Sequence, residues 1–298
     1  MPSRDVFARL FGVIALAAVA GCTKFDALNA AVPSGSYRLK ANVRYGELAR
    51  QKLDVYQPRH AAPGAPVVIF FYGGSWQAGS KRDYRFVGEA LASRGFVAVL
   101  PDYRLSPDVT FPAFVEDGAR AVRWVHDHAG RYGGDPCNVF LMGHSAGAHI
   151  AVLLTLDPHY LGNVGLDRDA IRGTAALSGP YDFIPGPDTR AAFGLDPTGS
   201  DPPVAAIEPI TFAANSAVHA PPLLLVHGLE DDVVEPAQAI RLATAIRLAG
   251  GNVQYLPYPT LGHAGVALAL AAPFRWLAPV LDDTAAFFRT HVSPPACP

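Results

Sequence analysis

Cysteine is scarce: three in 298 residues, far below the density of a small disulfide-stapled scaffold. No C-x-x-C pair with zinc-like spacing occurs, and no cluster of His, Cys and acidic residues has the spacing of a metal site. Charge is also sparse, 17% of residues with a formal net of -2. That leaves no basic stripe to neutralise phosphates, so nucleic-acid partners are excluded. Repeats and low-complexity tracts are missing too. No apolar run reaches the length of a membrane-spanning helix. What the chain has is a 50% hydrophobic composition, enough for the core of one ordinary α/β domain.

The first residues differ from the rest. Arg4 and Arg9 precede an apolar run from Leu10 to Ala20, the layout of a secretory signal. Val19-Ala20-Gly21-Cys22 resembles a bacterial lipoprotein box, in which Cys22 becomes the lipid-bearing first residue. The expected organisation is a signal peptide over 1–21, a linker over 22–35, an α/β domain over 36–292 and a tail over 293–298. The expected location is that of an exported bacterial lipoprotein, held by acyl chains at Cys22 on the periplasmic or extracellular side of a membrane. Export leaves Cys137 and Cys297 in an oxidising compartment. Cys137 precedes a strand and the last helix should return the tail to the same pole, so a bridge between the two is expected if their Cα separation allows.

Along the domain, strands and helices alternate. Ser36 to Pro58 shows the two-residue period of half-exposed strands. Val67–Tyr72 and Val97–Leu100 are short apolar runs, as are Val139–Met142, Ala175–Leu177, Leu223–Val226 and Val253–Tyr258. Such runs suit buried parallel strands. Helical patterns lie between them, around 85–92, from Phe114 to Val125, over 146–156, from Pro236 to about Leu248, and over 281–291. This order predicts a mostly parallel sheet with helices on both faces. The connection over 179–220 is Pro/Gly-rich and long enough for either a small cap or a surface loop.

Ser145 lies in Gly143-His144-Ser145-Ala146-Gly147, between an apolar strand and a helix. A nucleophile held on such a turn needs glycines on both sides, because side chains would collide in so tight a bend. A serine hydroxyl needs a base, and the base needs an orienting acid. Later strand ends supply both: His227-Gly228-Leu229-Glu230-Asp231-Asp232 follows one, and Thr260-Leu261-Gly262-His263 follows the next. The order serine, acid, histidine is that of α/β-hydrolases. The run Tyr72-Gly73-Gly74-Ser75-Trp76 after the third strand can lend backbone N–H groups to an oxyanion beside that of Ala146.

With LDVYQP, YGGSWQAGSK, LPDYRLSP, YGGDPCNVFLMGHSAGAH, LSGPYDF and HGLEDDVV, the chain resembles bacterial esterases of the α/β-hydrolase superfamily, in the carboxylesterase and hormone-sensitive-lipase-like group. The resemblance covers about Leu53 to Phe288. It implies Ser145 as nucleophile, His263 as base and Asp231 as acid, with oxyanion donors at Gly74, Ser75 and Ala146 and no cofactor or metal. It implies hydrolysis of a small carboxylic ester, and because little sequence is available for a large lid, a short acyl chain is expected. Isoprenylcysteine methylesterases share a similar GGDP…GHSAGAH run, so the run does not name the substrate. An acetylxylan or feruloyl esterase, an amidase or peptidase, and a non-catalytic binding module remain alternatives.

Two departures stand out: Tyr72 replaces the group's usual histidine, and Ser75 its frequent third glycine. Glu230, Asp232, Glu235 and Asp182 compete with Asp231. His144 and His149 are expected to pack near the site without catalysing, and His126 and His128 to lie on a solvated helix face. Asp102, Tyr103 and Arg104 are expected to brace the oxyanion loop. Trp76, Phe183 and Phe193 suit either a substrate pocket or the core.

Overall fold

The computed structural model describes residues 28–60, 63–195 and 204–293. Eight strands form one sheet: β1 (Tyr37–Arg44), β2 (Lys52–Pro58), β3 (Ala65–Phe71), β4 (Val97–Pro101), β5 (Gly134–His144), β6 (Gly173–Leu177), β7 (Leu223–Gly228) and β8 (Val253–Tyr258). Their order is β1-β2-β4-β3-β5-β6-β7-β8. The β1–β2 and β2–β4 pairs are antiparallel and the remaining five are parallel. This is the mostly parallel sheet expected from the alternation of elements, in the α/β-hydrolase arrangement that the resemblance implies.

Six helices matter to the site: α1 (Arg85–Ser93), α2 (Ala113–His128), α3 (Ala146–Leu156), α4 (Ala237–Leu248), α5 (His263–Leu268) and α6 (Val280–Thr290). The two-residue period of the strands sorts their side chains between the two faces. On β7, Leu223 and Leu225 join a core with Ala239, Leu242, Ala243 and Ile246 of α4. Leu224 and Val226 join the larger core instead, with Phe288 of α6, whose ring lies 5.0 Å from Phe140 and 5.7 Å from Phe96. A strand apolar at every position is therefore a strand covered on both sides.

The connection between β6 and β7 has no layer of its own among its described residues. It runs through single turns at Arg190–Phe193, Val204–Ala206, Pro209–Phe212, Ala213–Ser216 and Ala217–His219. Helix α5 is absent from the sequence reading: at six residues it is too short to show a period. His126 and His128 correct their expectation. Both are half-buried, His126 Nε2 bonding Ala170 O and the His128 ring stacking on Trp124 at 4.7 Å.

The signal region, the linker before Leu28, Cys22 and Cys297 lie outside the described residues. Cys137 is disulfide-bonded, and the chain's two other cysteines both lie in that undescribed part. The backbone of Ser293 pairs with the Asn138 side chain, Ser293 N donating to Asn138 Oδ1 at 2.8 Å and Asn138 Nδ2 to Ser293 O at 3.1 Å. Ser293 is thus fastened beside the neighbour of Cys137.

Candidate active site

Parallel strands end at one edge, and β3, β5, β7 and β8 each deliver a functional loop there. At the end of β5, Ser145 adopts φ 55° and ψ -123°, a conformation that L side chains rarely take. Its N–H is held by Leu177 O at 2.9 Å, and its own carbonyl accepts from Ala148 N and His149 N as α3 begins. The flanking glycines are required sterically. A Cβ on Gly143 would overlap the backbone of Gly147, and one on Gly147 would overlap the Phe71 carbonyl of β3.

The β3 loop packs directly on this turn. A Cβ on Gly73 would lie 2.9 Å from Ser145 Cβ and 3.1 Å from His144 Nδ1. The backbone then turns through positive φ at Gly74 (135°), Ser75 (53°) and Trp76 (59°). Gly74 O accepts from Gln77 N and Ala78 N, closing the turn, while the N–H groups of Gly74 and Ser75 go to no backbone carbonyl among the described residues. Ala146, first residue of α3, carries one of the N–H groups that a helix start leaves unused.

Tyr72 is fully buried, stacked on Tyr103 with ring centroids 4.5 Å apart. Its hydroxyl accepts from Arg50 Nη2 at 2.7 Å, and its carbonyl accepts from Tyr103 Oη at 2.7 Å. Arg50 also donates to Tyr103 O and Gly79 O, and lies 3.8 Å from Asp102. Burial raises the Asp102 carboxyl above its usual range, against the Lys81 N–H it accepts and the charges of Arg50 and Lys81. The expected brace therefore exists, with one correction. Arg104 turns away to the buried Asp117, at 2.8 Å, and Arg50, which carries no signal in the sequence, takes its place.

Asp231 follows β7 and His263 opens α5 after β8. His263 Nδ1 donates to Asp231 Oδ2 at 2.9 Å, leaving Nε2 as the free lone pair of the ring. Asp231 Oδ1 accepts from Val233 N and Val234 N at 3.0 and 2.8 Å, and Oδ2 also lies 3.1 Å from His227 Nε2. Burial opposes ionisation of this carboxyl, but the hydrogen bonds from His227, His263 and Val234 outweigh it and hold it well below its usual range. The Asp231 side chain is 0% exposed and that of His263 14%, so the ring has one open edge. The rival acids go elsewhere: Asp182 pairs with Arg241, which also lies 3.8 Å from Glu235, and Glu230 and Asp232 face solvent.

His144 ties the two halves together. Its Nε2 donates to His263 O at 3.0 Å, and the two rings lie 4.9 Å apart. Burial depresses it to about 3. His263 gives its ring hydrogen bond to Asp231 and none to Ser145 Oγ, and such a pair often closes only when substrate binds. His149 is buried, bonded to Ile207 O at 2.8 Å, and pushed down to about 4 by burial. It packs with Trp76, Phe183 and Phe193 at centroid distances of 5.0, 5.8 and 5.8 Å. Trp76 and Phe193 are buried, while Phe183 is half-exposed. Among the described residues, no group of three or more His, Cys, Asp or Glu is placed to hold a metal ion.

Residues 53–246 match the BD-FAE family. The chain belongs to the BD-FAE family. This BD-FAE member is 31% identical over 260 residues to Esterase LipQ of Mycobacterium tuberculosis, covering 82% of this chain and 61% of that one. It is 28% identical over 250 residues to isoprenylcysteine alpha-carbonyl methylesterase ICME of Arabidopsis thaliana, covering 78% and 58%. The chain thus spans about three fifths of the length of these relatives. Among solved structures, it is similar to a truncated carbohydrate esterase from gut microbiota (TM-score 0.76, 22% identity, 87% of this chain and 98% of that one). It is also similar to the propionate-bound esterase Est2 of Thermogutta terrifontis (TM-score 0.68, 23% identity, 89% and 98%). At that identity these structures speak for the fold.

Proposed function

We propose that the protein is a serine hydrolase of small carboxylic esters, with Ser145 as nucleophile, His263 as base and Asp231 as orienting acid. The observation that carries this reading is the His263 Nδ1–Asp231 Oδ2 hydrogen bond, on a ring tied through His144 to the turn bearing Ser145. With Nδ1–H given to the carboxylate, Nε2 takes the Ser145 proton as Oγ attacks the ester carbonyl. The developing oxyanion is met by the N–H groups of Gly74, Ser75 and Ala146. The tetrahedral intermediate collapses, His263 returns the proton to the departing alcohol, and the acyl group stays on Ser145. Water, deprotonated by the same nitrogen, then releases the acid.

Short acyl chains fit the aromatic packing behind the loop. Trp76 follows the oxyanion residues directly, and its ring is walled by Phe193 at 4.7 Å, His149 at 5.0 Å and Phe183 at 5.9 Å. The names of similar proteins point the same way: Est2 is known with propionate and with butyrate bound, and with tabun as a phosphoramyl adduct. The test is labelling by a fluorophosphonate, with peptide mapping of the adduct, followed by a panel of nitrophenyl esters, acetylated sugars and anilides. The expected result is an adduct on Ser145 and rates that fall as the acyl chain lengthens. Absence of the adduct, or preference for anilides or long chains, overturns the reading.

The Arg50 brace is expected to matter through the oxyanion loop. Arg50→Leu should lower kcat for nitrophenyl acetate by about ten- to a hundredfold while KM changes little, because amides aimed at the transition state contribute little to ground-state binding. Steady-state kinetics on the folded variant check the split.

We further propose that the mature chain is lipidated at Cys22 and held at a membrane surface. The sequence box at 19–22 supports this. Incorporation of labelled palmitate, lost in Cys22→Ser, is the expected result, and an unlabelled mature protein overturns it.

A further inference from the structure

We propose that His227 is a positioning residue for the acid, a second imidazole on Asp231 that sets how far into acidic pH the enzyme stays active. The inference rests on the ester-hydrolase reading above and concerns a residue that reading does not use.

His227 is the penultimate residue of β7 and 0% exposed. Its Nε2 lies 3.1 Å from Asp231 Oδ2 and 3.0 Å from Val234 O. Both partners only accept, so Nε2 carries the hydrogen and shares it between them. Its Nδ1 is buried and has no hydrogen-bond partner, which fixes this tautomer. Asp231 therefore receives four donors: two backbone N–H groups on Oδ1, and one imidazole N–H from each of His263 and His227 on Oδ2.

The sharing of Oδ2 has a chemical consequence. A carboxylate oxygen that accepts two N–H groups is less basic than one that accepts a single group. The negative charge that Oδ2 presents to the His263 ring is accordingly weaker with His227 present than without it. His227 reaches Asp231 Oδ2 and Val234 O, so it acts on the acid and not on the reacting atoms. The other titratable groups around this pair are few. His144 faces His263 from the end of β5, Glu230 and Asp232 are exposed on the Asp231 loop, and Glu235 lies further on, near Arg241. None of them hydrogen-bonds the Asp231 carboxylate.

In His227→Leu the N–H is removed and Oδ2 belongs to His263 alone. Activity should then be lost earlier on acidification. The sign is definite: the acid limb of kcat/KM moves up. In His227→Gln the amide nitrogen takes the place of Nε2 and restores the second donor.

The experiment is the kcat/KM profile for nitrophenyl acetate between about pH 5 and 9, on wild type and both variants, with folding checked by circular dichroism. The expected result is a limb about half to one pH unit higher in His227→Leu, and one within about 0.2 units of wild type in His227→Gln. A folded leucine variant with an unmoved limb, or a glutamine variant that moves as far as the leucine one, overturns the proposal. If His227→Leu does not fold, His227→Asn, whose amide is too short to reach Asp231, takes its place under the same criterion. Fluorophosphonate labelling of Ser145 in wild type separates the two claims. Labelling with an unmoved limb sinks the role of His227 alone, whereas no labelling sinks the hydrolase reading beneath it.

Discussion

Ser145→Ala should reduce turnover of nitrophenyl acetate by about five to six orders of magnitude, with melting temperature close to that of the parent. The large kinetic effect follows from the loss of the attacking oxygen. The small structural effect follows from the way the turn is held. The Ser145 N–H and carbonyl make its local hydrogen bonds, to Leu177 O and from Ala148 N and His149 N, and alanine keeps all of them. Alanine at φ 55° meets the same backbone cost as serine, since both carry a Cβ. Residual hydrolysis should resemble that of the loop amides acting on bound ester with water. A folded alanine variant that keeps more than about one hundredth of the activity would remove Ser145 from the reaction.

Asp231→Asn is expected to cost about ten-thousandfold in kcat, and the structure says why the amide cannot settle the other way. Oδ1 accepts two backbone N–H groups, from Val233 and Val234, while Oδ2 accepts from two imidazoles. The amide oxygen of asparagine must stay with the backbone pair, which places its NH2 against His263 Nδ1. That ring then turns its lone pair to the amide and its hydrogen to Ser145, the wrong tautomer for a base. Rate measurements on the purified variant check the loss. The same substitution should show in stability. The Asp231 carboxyl is held below its unfolded value, so its contribution is complete above about pH 4 and fades as pH falls through the lower folded value. The gap in urea stability between wild type and Asp231→Asn should therefore be wider at neutral pH than near pH 3. An equal gap at both would contradict the depressed carboxyl.

What could be read in advance divides along physical lines. The Ser145 turn was legible because its constraint is local: two glycines, a preceding apolar strand and a following helix all lie within a few residues. The sheet was legible because strands buried on both faces write continuous apolar runs. Choosing Asp231 among four neighbouring carboxylates needed direction as well as position, and only the loop's backbone bonds to Oδ1 supply it. Arg50 had no signature. It sits in the turn between β1 and β2, and what brings it to Tyr72 is the antiparallel placement of β2 beside β4, a long-range pairing. Arg104 was expected in the brace but pairs with Asp117 instead, since Asp117 comes from α2, whose inward face its amphipathic period leaves to the apolar residues. His227 was visible as a letter in HG-x-x-D, but a buried histidine donates in a direction that spacing does not encode.

The seating of Gly73 against Ser145 and of Gly147 against Phe71 welds the proposed attacking group and anion cradle into one rigid casting. Neither half can drift to suit a new ester without dragging the other. Changes of diet in such an enzyme are therefore expected to be written at its periphery, in the ring of Trp76 and the described turns between β6 and β7, while the casting itself stays unaltered.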